Sequence, residues 1–302
     1  MGDDTNPALS PTADAAPATP DATTGDASAA PPDAEPPPLP IALVRVANWS
    51  PDAPAVDFCL APHGTTAFQG PLLGRASALL DAAAPSLGYP DVSAYLQVPP
   101  GQYDVRAVVA GASNCSAGIG PDLTSTPSLG IGTFATLALL GNTQGSGGAK
   151  LQLAAFVDEG VSSGKVALRF VNAAAAAEMG SADFGTGTAG ASFKPISKSV
   201  AFGAVGAIPD AGGVDGAIKA DSHGYAVMSA LASATLSAHA SGATTDAVVA
   251  RGVTIAAGAV VTAALLVGPG VTDDGGATFQ LLACVDNAGT VGVTGSCTII
   301  GP

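Results

Sequence analysis

The residues in this chain that could do chemistry are few and scattered. Its three histidines are His63, His223 and His239. A serine hydrolase needs a histidine beside a positioned nucleophile and a carboxylate, yet no Gly-x-Ser-x-Gly elbow occurs. His63 and His223 each adjoin a glycine, as turn residues do, and His239 shares a strand face with Ser237 and Ser241, which reads as solvated. Ser162-Ser-Gly-Lys165 has the Ser-x-x-Lys spacing of penicillin-binding enzymes but lacks an accompanying Lys-Thr-Gly. Gly185-Thr-Gly-Thr-Ala-Gly190 fits Gly-x-Gly-x-x-Gly, but no helical pattern follows it, as a dinucleotide site would require. Asp273 and Asp274 could offer oxygens to Ca²⁺, although the corresponding turn at 141–148 has no acid. No catalytic residue, cofactor or metal site is predicted.

Charge excludes further classes. The chain carries 24 acids against 10 bases, a net charge of −14. Binding to nucleic acid phosphates needs clustered Lys and Arg, and the densest lysine pair here is Lys194 and Lys198, four positions apart. An anionic bilayer surface is disfavoured for the same reason. The four cysteines, Cys59, Cys115, Cys284 and Cys297, lack any Cys-x-x-Cys spacing. They suggest two disulfides in an exported chain, with three connectivities open. Pairing close in sequence, Cys59 with Cys115 and Cys284 with Cys297, is the simplest.

The elements that position these residues come from an internal repeat. Ala42-Leu-Val-Arg-Val-Ala-Asn48 matches Val166-Ala-Leu-Arg-Phe-Val-Asn172, with Arg45 over Arg169, an offset of 124. Gly132-Thr-Phe-Ala-Thr-Leu-Ala-Leu-Leu140 matches Gly258-Ala-Val-Val-Thr-Ala-Ala-Leu-Leu266, an offset of 126. Ala149-Lys-Leu-Gln-Leu-Ala-Ala-Phe-Val-Asp158 matches Ala277-Thr-Phe-Gln-Leu-Leu-Ala-Cys-Val-Asp286, an offset of 128. Three blocks in one order with slowly drifting offsets indicate a duplicated unit. Val44 and Val46, and likewise Leu168 and Phe170, alternate with Arg at the period of a half-buried strand. The last two blocks of each copy flank a Gly-rich turn, the pattern of a hairpin. Only 75–87 looks briefly helical. The apolar run 252–271 approaches membrane-spanning length, but the repeat explains it better, and no membrane-spanning segment is predicted.

Ser50-Pro-Asp-Ala-Pro-Ala-Val-Asp57, preceded by Val44-Arg-Val46 and followed by the Pro-Gly-Gln-Tyr-Asp-Val turn at 100–105, resembles the domain of unknown function 4397 family over 41–159. The resemblance implies a bacterial extracellular or cell-envelope β-sandwich, often in tandem, with no established activity. That family often has His where Asn48 stands here. The second copy has lost the motif, with Ala173–Ala177, Glu178 and Met179 in its place. Pro51 and Pro54 would fix φ while Ser50 and Asp52 cap backbone amides, giving a rigid strand exit. The functional alternative is a ligand-facing loop using Trp49, Asp52 and Asp57.

The first 40 residues are a different material. They hold 10 of the 24 prolines, seven acids and no base, with only Leu9 and Leu39 large and aliphatic. Such composition cannot bury enough apolar surface to offset ordering. As a flexible coil it would span roughly 35 Å, or on the order of 120 Å as polyproline helix. Its Gly-Asp-Asp beginning resembles the mature end of bacterial lipoproteins, which implies a lipid anchor N-terminal to Gly2. The sequence therefore predicts an all-β protein of two tandem β-sandwich (Ig-like) domains, 41–159 and 165–302, the second with a C-terminal hairpin extension. A disordered Pro/Ala/Asp-rich tether, 1–40, precedes them. The expected role is a non-enzymatic exported structural or binding protein of the cell envelope with an unknown partner. Alternatives are an adhesion or carbohydrate-binding protein using the Trp49–Asp57 loop, or a self-associating coat or filament subunit.

Overall fold

The computed structural model describes residues 40–75, 86–144, 149–159, 164–206, 221–271, 276–286 and 297–301. The tether at 1–39, the serines of Ser162-Ser-Gly-Lys165, and Asp273 with Asp274 lie outside the described residues. So does most of the segment expected to be helical; a single helical turn at 72–75 precedes it.

The architecture is all-β. The first half contributes β1 (Ala42–Trp49), β2 (Val56–Pro62), β3 (Leu96–Val98), β4 (Tyr103–Val109), β5 (Phe134–Leu140) and β6 (Gln152–Val157). The second contributes β7 (Val166–Asn172), β8 (Ser181–Thr186), β9 (Lys194–Ala201), β10 (Tyr225–Met228), β11 (Leu231–Ala240), β12 (Val248–Ile255), β13 (Val260–Val271), β14 (Ala277–Val285) and β15 (Cys297–Ile299). Two sheets share one order: β3-β1-β5-β6, and β10-β7-β13-β14 with β15 added at its edge. In both, the two outer pairs of that core order are antiparallel and the central pair is parallel, β1 with β5 and β7 with β13. The register matches too, since Arg45 lies opposite Thr136 and Arg169 opposite Thr262. The outer sheets differ. Among the described strands β2 pairs only with β4, whereas the second half builds β12-β11-β8-β9.

Alternation along the strands sorts side chains into three cores. On β1, Val44 and Val46 meet Phe58, Val105 and Leu137 inside the first half. On β7, Leu168 and Phe170 meet Phe184, Leu236 and Leu281 inside the second. The opposite faces do not reach water. Ala47, Trp49, Ala138, Leu140 and Phe156 pack against Val171, Ala173, Ala264, Leu266 and Cys284 in a shared layer between the halves. Every residue of β1 and β7 is consequently buried, and residues 40–302 form one compact unit. The half-buried strand read from the sequence is corrected here: the period is right, but the face carrying Arg45 and Arg169 is sealed by the other half.

Two disulfides complete the fold, Cys59–Cys115 and Cys284–Cys297, with no free cysteine among the described residues. The first ties β2 to the segment beyond β4. The second joins directly opposed residues of β14 and β15. Closing a loop with a sequence separation of 13 removes about 3 kcal/mol of denatured-state entropy on the chain model. Replacing Cys284 and Cys297 together with Ser should lower the unfolding free energy by about that amount, measured by urea titration. An unchanged midpoint would show that β15 contributes nothing.

Candidate functional site

Two arrangements stand out, a buried charge cluster between the halves and an apolar groove on the first half.

The cluster is built from equivalent positions in the two central sheets. Arg45, midway along β1, donates from Nε to Thr136 Oγ1 at 2.7 Å on the neighbouring β5. It then crosses to the second half, reaching the carbonyl of Val285 at 3.2 Å and the Oδ1 of Asp286. Arg169 on β7 does the converse. Its Nε donates to Thr262 Oγ1 at 3.0 Å, and its terminal nitrogens cross to the Val157 carbonyl at 2.7 Å and to Asp158. Each aspartate sits just past the end of β6 or β14. Asp158 accepts from Thr136 at 2.6 Å and Tyr95 at 2.9 Å, and Asp286 accepts from Thr262 at 2.5 Å and Tyr225 at 2.6 Å. The guanidinium groups also lie against the rings of Tyr95 and Tyr225, 5.1 and 4.5 Å from their centroids. Arg45, Arg169, Asp158 and Asp286 are 0–1% exposed.

Two guanidinium and two carboxylate groups balance in charge, and none of their polar atoms is orphaned. Burial disfavours the charged form of Arg45, but Asp158 and Asp286 together raise it above the usual arginine range. Burial likewise pushes Asp158 up, and Arg45 and Arg169 outweigh it, so Asp158 titrates below the usual carboxylate range. At Asp286 burial, reinforced by the charge of Asp158, wins over Arg45 and Arg169, and its carboxyl is raised. Removing one partner of such a set leaves another charge buried and unpaired.

The groove opens where the outer sheet of the first half is short. In the second half β8 is flanked by both β11 and β9, whereas β2 has only β4 and isolated bridges to Gln69 and Leu87. A cavity of about 560 Å³ lies there. Leu60, Leu72, Leu96, Val98 and Tyr103 form its walls, with Gln69, Gln97, Gln102 and Arg75 at the rim. Its size and mainly apolar lining suit a small ligand.

The predicted loop residues do not share a surface. Trp49 is 1% exposed, packed against Phe156 with ring centroids 6.3 Å apart, and its indole N–H has no acceptor among the described residues. An exposed aromatic platform is therefore not formed. Asp57 is buried, and its carboxylate accepts from the amides of Phe58, Leu73 and Gly74 at 2.6–3.0 Å, holding the chain after β2. Asp52 alone is exposed. It accepts from the Thr143 amide and hydroxyl at 2.7–3.0 Å, and from Gln144 N and Ser50 Oγ at 3.3 Å. Ser50 Oγ donates to the Gly141 carbonyl at 2.5 Å. Gly141 has φ +93°, and a Cβ there would come within 2.2 Å of the Lys150 carbonyl. The Ser50–Asp52 exit is thus a latch onto the β5–β6 turn. Asn48 and Asn172 play one part, each bridging two carbonyls through Nδ2 and capping an amide two residues on.

His239 is also corrected. It is 5% exposed rather than solvated, because the Phe193 ring covers it edge-on at 4.5 Å. Gly185 to Gly190 runs from β8 into the turn before β9, between two strands rather than strand and helix. Among the described residues no group of three or more potential ligands could hold a metal ion.

The sequence reading missed the charge cluster, although its signal was present. Arg45, Thr136 and Asp158 each fall in one of the three repeated blocks, in step with Arg169, Thr262 and Asp286.

The model of the domain of unknown function DUF4397 matches residues 42–179. This stretch belongs to that family. The DUF4397 match runs past the expected end at 159, through β7 to Met179, and so takes in Arg45, Asp158 and Arg169 but not Asp286. No curated protein matches the chain.

Asp158→Ala should cost about 3–5 kcal/mol in urea unfolding, because it leaves buried Arg charge uncompensated; a loss under about 1 kcal/mol would mean the cluster is not desolvated as described. At the exposed latch, the amide and hydroxyl donors hold Asp52 below the usual carboxylate range against its burial. Its contribution is therefore full at neutral pH and fades as acid titrates the carboxylate. Asp52→Ala should cost only about 0.5–1 kcal/mol at neutral pH, allowing for solvent screening, with the difference from wild type closing in strong acid.

Proposed function

We propose that this chain is a non-catalytic binding module of the cell envelope, and that the groove between β2 and β3 is its ligand seat. The observation carrying this reading is the groove itself, about 560 Å³ with apolar walls of Leu60, Leu72, Leu96, Val98 and Tyr103. Arg75 and three glutamines at its mouth favour an apolar ligand with one anionic or polar end. The two disulfides support folding in an oxidising, non-cytoplasmic compartment. No described helix is long and apolar enough to cross a membrane. The Pro/Ala/Asp-rich N-terminal segment supports display at a distance from an anchor. The charged groups of the interface are engaged with one another and closed to solvent, which favours a scaffolding rather than a catalytic part for them.

Two probes test this, anilinonaphthalene sulfonate and palmitate, each with an apolar body and an anionic end. Titration followed by amide chemical shifts should perturb β2, β3 and the 99–103 turn. Leu72→Gln, at the half-buried wall, should weaken binding about tenfold while leaving the melting temperature near wild type. Absence of any shift in these segments with both probes would end the groove reading.

A further inference from the structure

The contacts between the halves are reciprocal. Arg45 of the first half pairs with Asp286 of the second, and Arg169 of the second pairs with Asp158 of the first. The backbone follows the same rule, with Arg45 bonded to the Val285 carbonyl and Arg169 to that of Val157. When residue i meets j′ and j meets i′, the interface is isologous, the arrangement of a two-fold dimer. Here both partners lie on one chain, joined by the short link 159–165.

The apolar part of the same layer breaks the symmetry in one respect. Two pairs match across the halves, Ala138 with Ala264 and Leu140 with Leu266. Four positions do not, Ala47 being smaller than its counterpart Val171 and Ala154 smaller than Leu282. Trp49 on the first half corresponds to Ala173 on the second, and Phe156 corresponds to Cys284. Each face is therefore large where the other is small, the first at Trp49 and Phe156 and the second at Val171 and Leu282. Two first halves would bring two Trp and two Phe into a layer filled by one of each, and overpacking is destabilising. Two second halves would leave voids.

We propose that the inner faces form a specific pairing surface whose partner is the unlike half. It is satisfied within the chain in this structure and needs no covalent link between the halves. The charge exchange fixes orientation, because any other register would cost Arg45 its contacts to Val285 and Asp286 and Arg169 its contacts to Val157 and Asp158. Only the longer same-half ion pairs at 3.6 and 4.0 Å would be left. The Trp49/Ala173 and Phe156/Cys284 differences exclude like halves, which is specificity by a built-in misfit.

The test uses the full chain with a protease recognition sequence inserted after Glu159, cut after folding. Native mass spectrometry at micromolar concentration should show the two pieces held together as one first half with one second half. Cut samples of ¹⁵N-labelled and unlabelled protein, mixed and passed through mild urea, should re-form mixed pairs of unlike halves, with like pairs scarce. The same cut protein carrying Asp286→Ala should pair at least about thirtyfold more weakly. Separation or unfolding of the pieces after cutting overturns the proposal, and so does recovery of like pairs as readily as unlike ones.

Discussion

β1 and β7 are buried on both faces, and that condition rests on how the charges of Arg45 and Arg169 are met. A guanidinium taken out of water costs several kcal/mol unless its donors find acceptors. Here each finds a threonine hydroxyl on its own half, and a main-chain carbonyl and a carboxylate on the other. The main-chain and shortest carboxylate contacts are thereby made only when the halves are together, each guanidinium keeping within its own half its threonine and a longer ion pair at 3.6 or 4.0 Å. Such a cluster gains little over an apolar replacement in raw stability. Its consequence is orientation, since the polar groups match in a single docked arrangement.

That arrangement also explains why parallel pairs sit at the centre. A parallel pair needs a long crossover and is found where both faces are covered. β1 with β5 and β7 with β13 meet that condition, with an outer sheet on one side and the opposite half on the other. The outer sheets are freer to differ. The second half adds β9 and β12, while the first keeps two strands and leaves its groove.

The strands of the repeated blocks, the two hairpins and the pairing of Cys59 with Cys115 and Cys284 with Cys297 were legible in the sequence. Period-two alternation and turn chemistry are local, and local signals survive in a single sequence. The burial of Arg45 was not legible, because alternation tells which residues share a face and not what covers it. The same reason applies to Trp49 and His239, polar-tipped side chains whose covering residues, Phe156 and Phe193, are distant in sequence. The groove was hidden more deeply. Among the described residues it lies where β2 lacks a strand neighbour that β8 has, and an absent neighbour leaves no mark on the residues around it.

The Cys59–Cys115 bridge closes a loop of the chain across 56 positions. Every wall and rim residue of the groove, from Leu60 to Tyr103, falls inside that loop. In a reducing compartment the same walls would be held by packing and hydrogen bonds alone, with both ends of the segment released from their covalent tie. The covalent tie around the groove is thus one that only oxidising conditions keep in place.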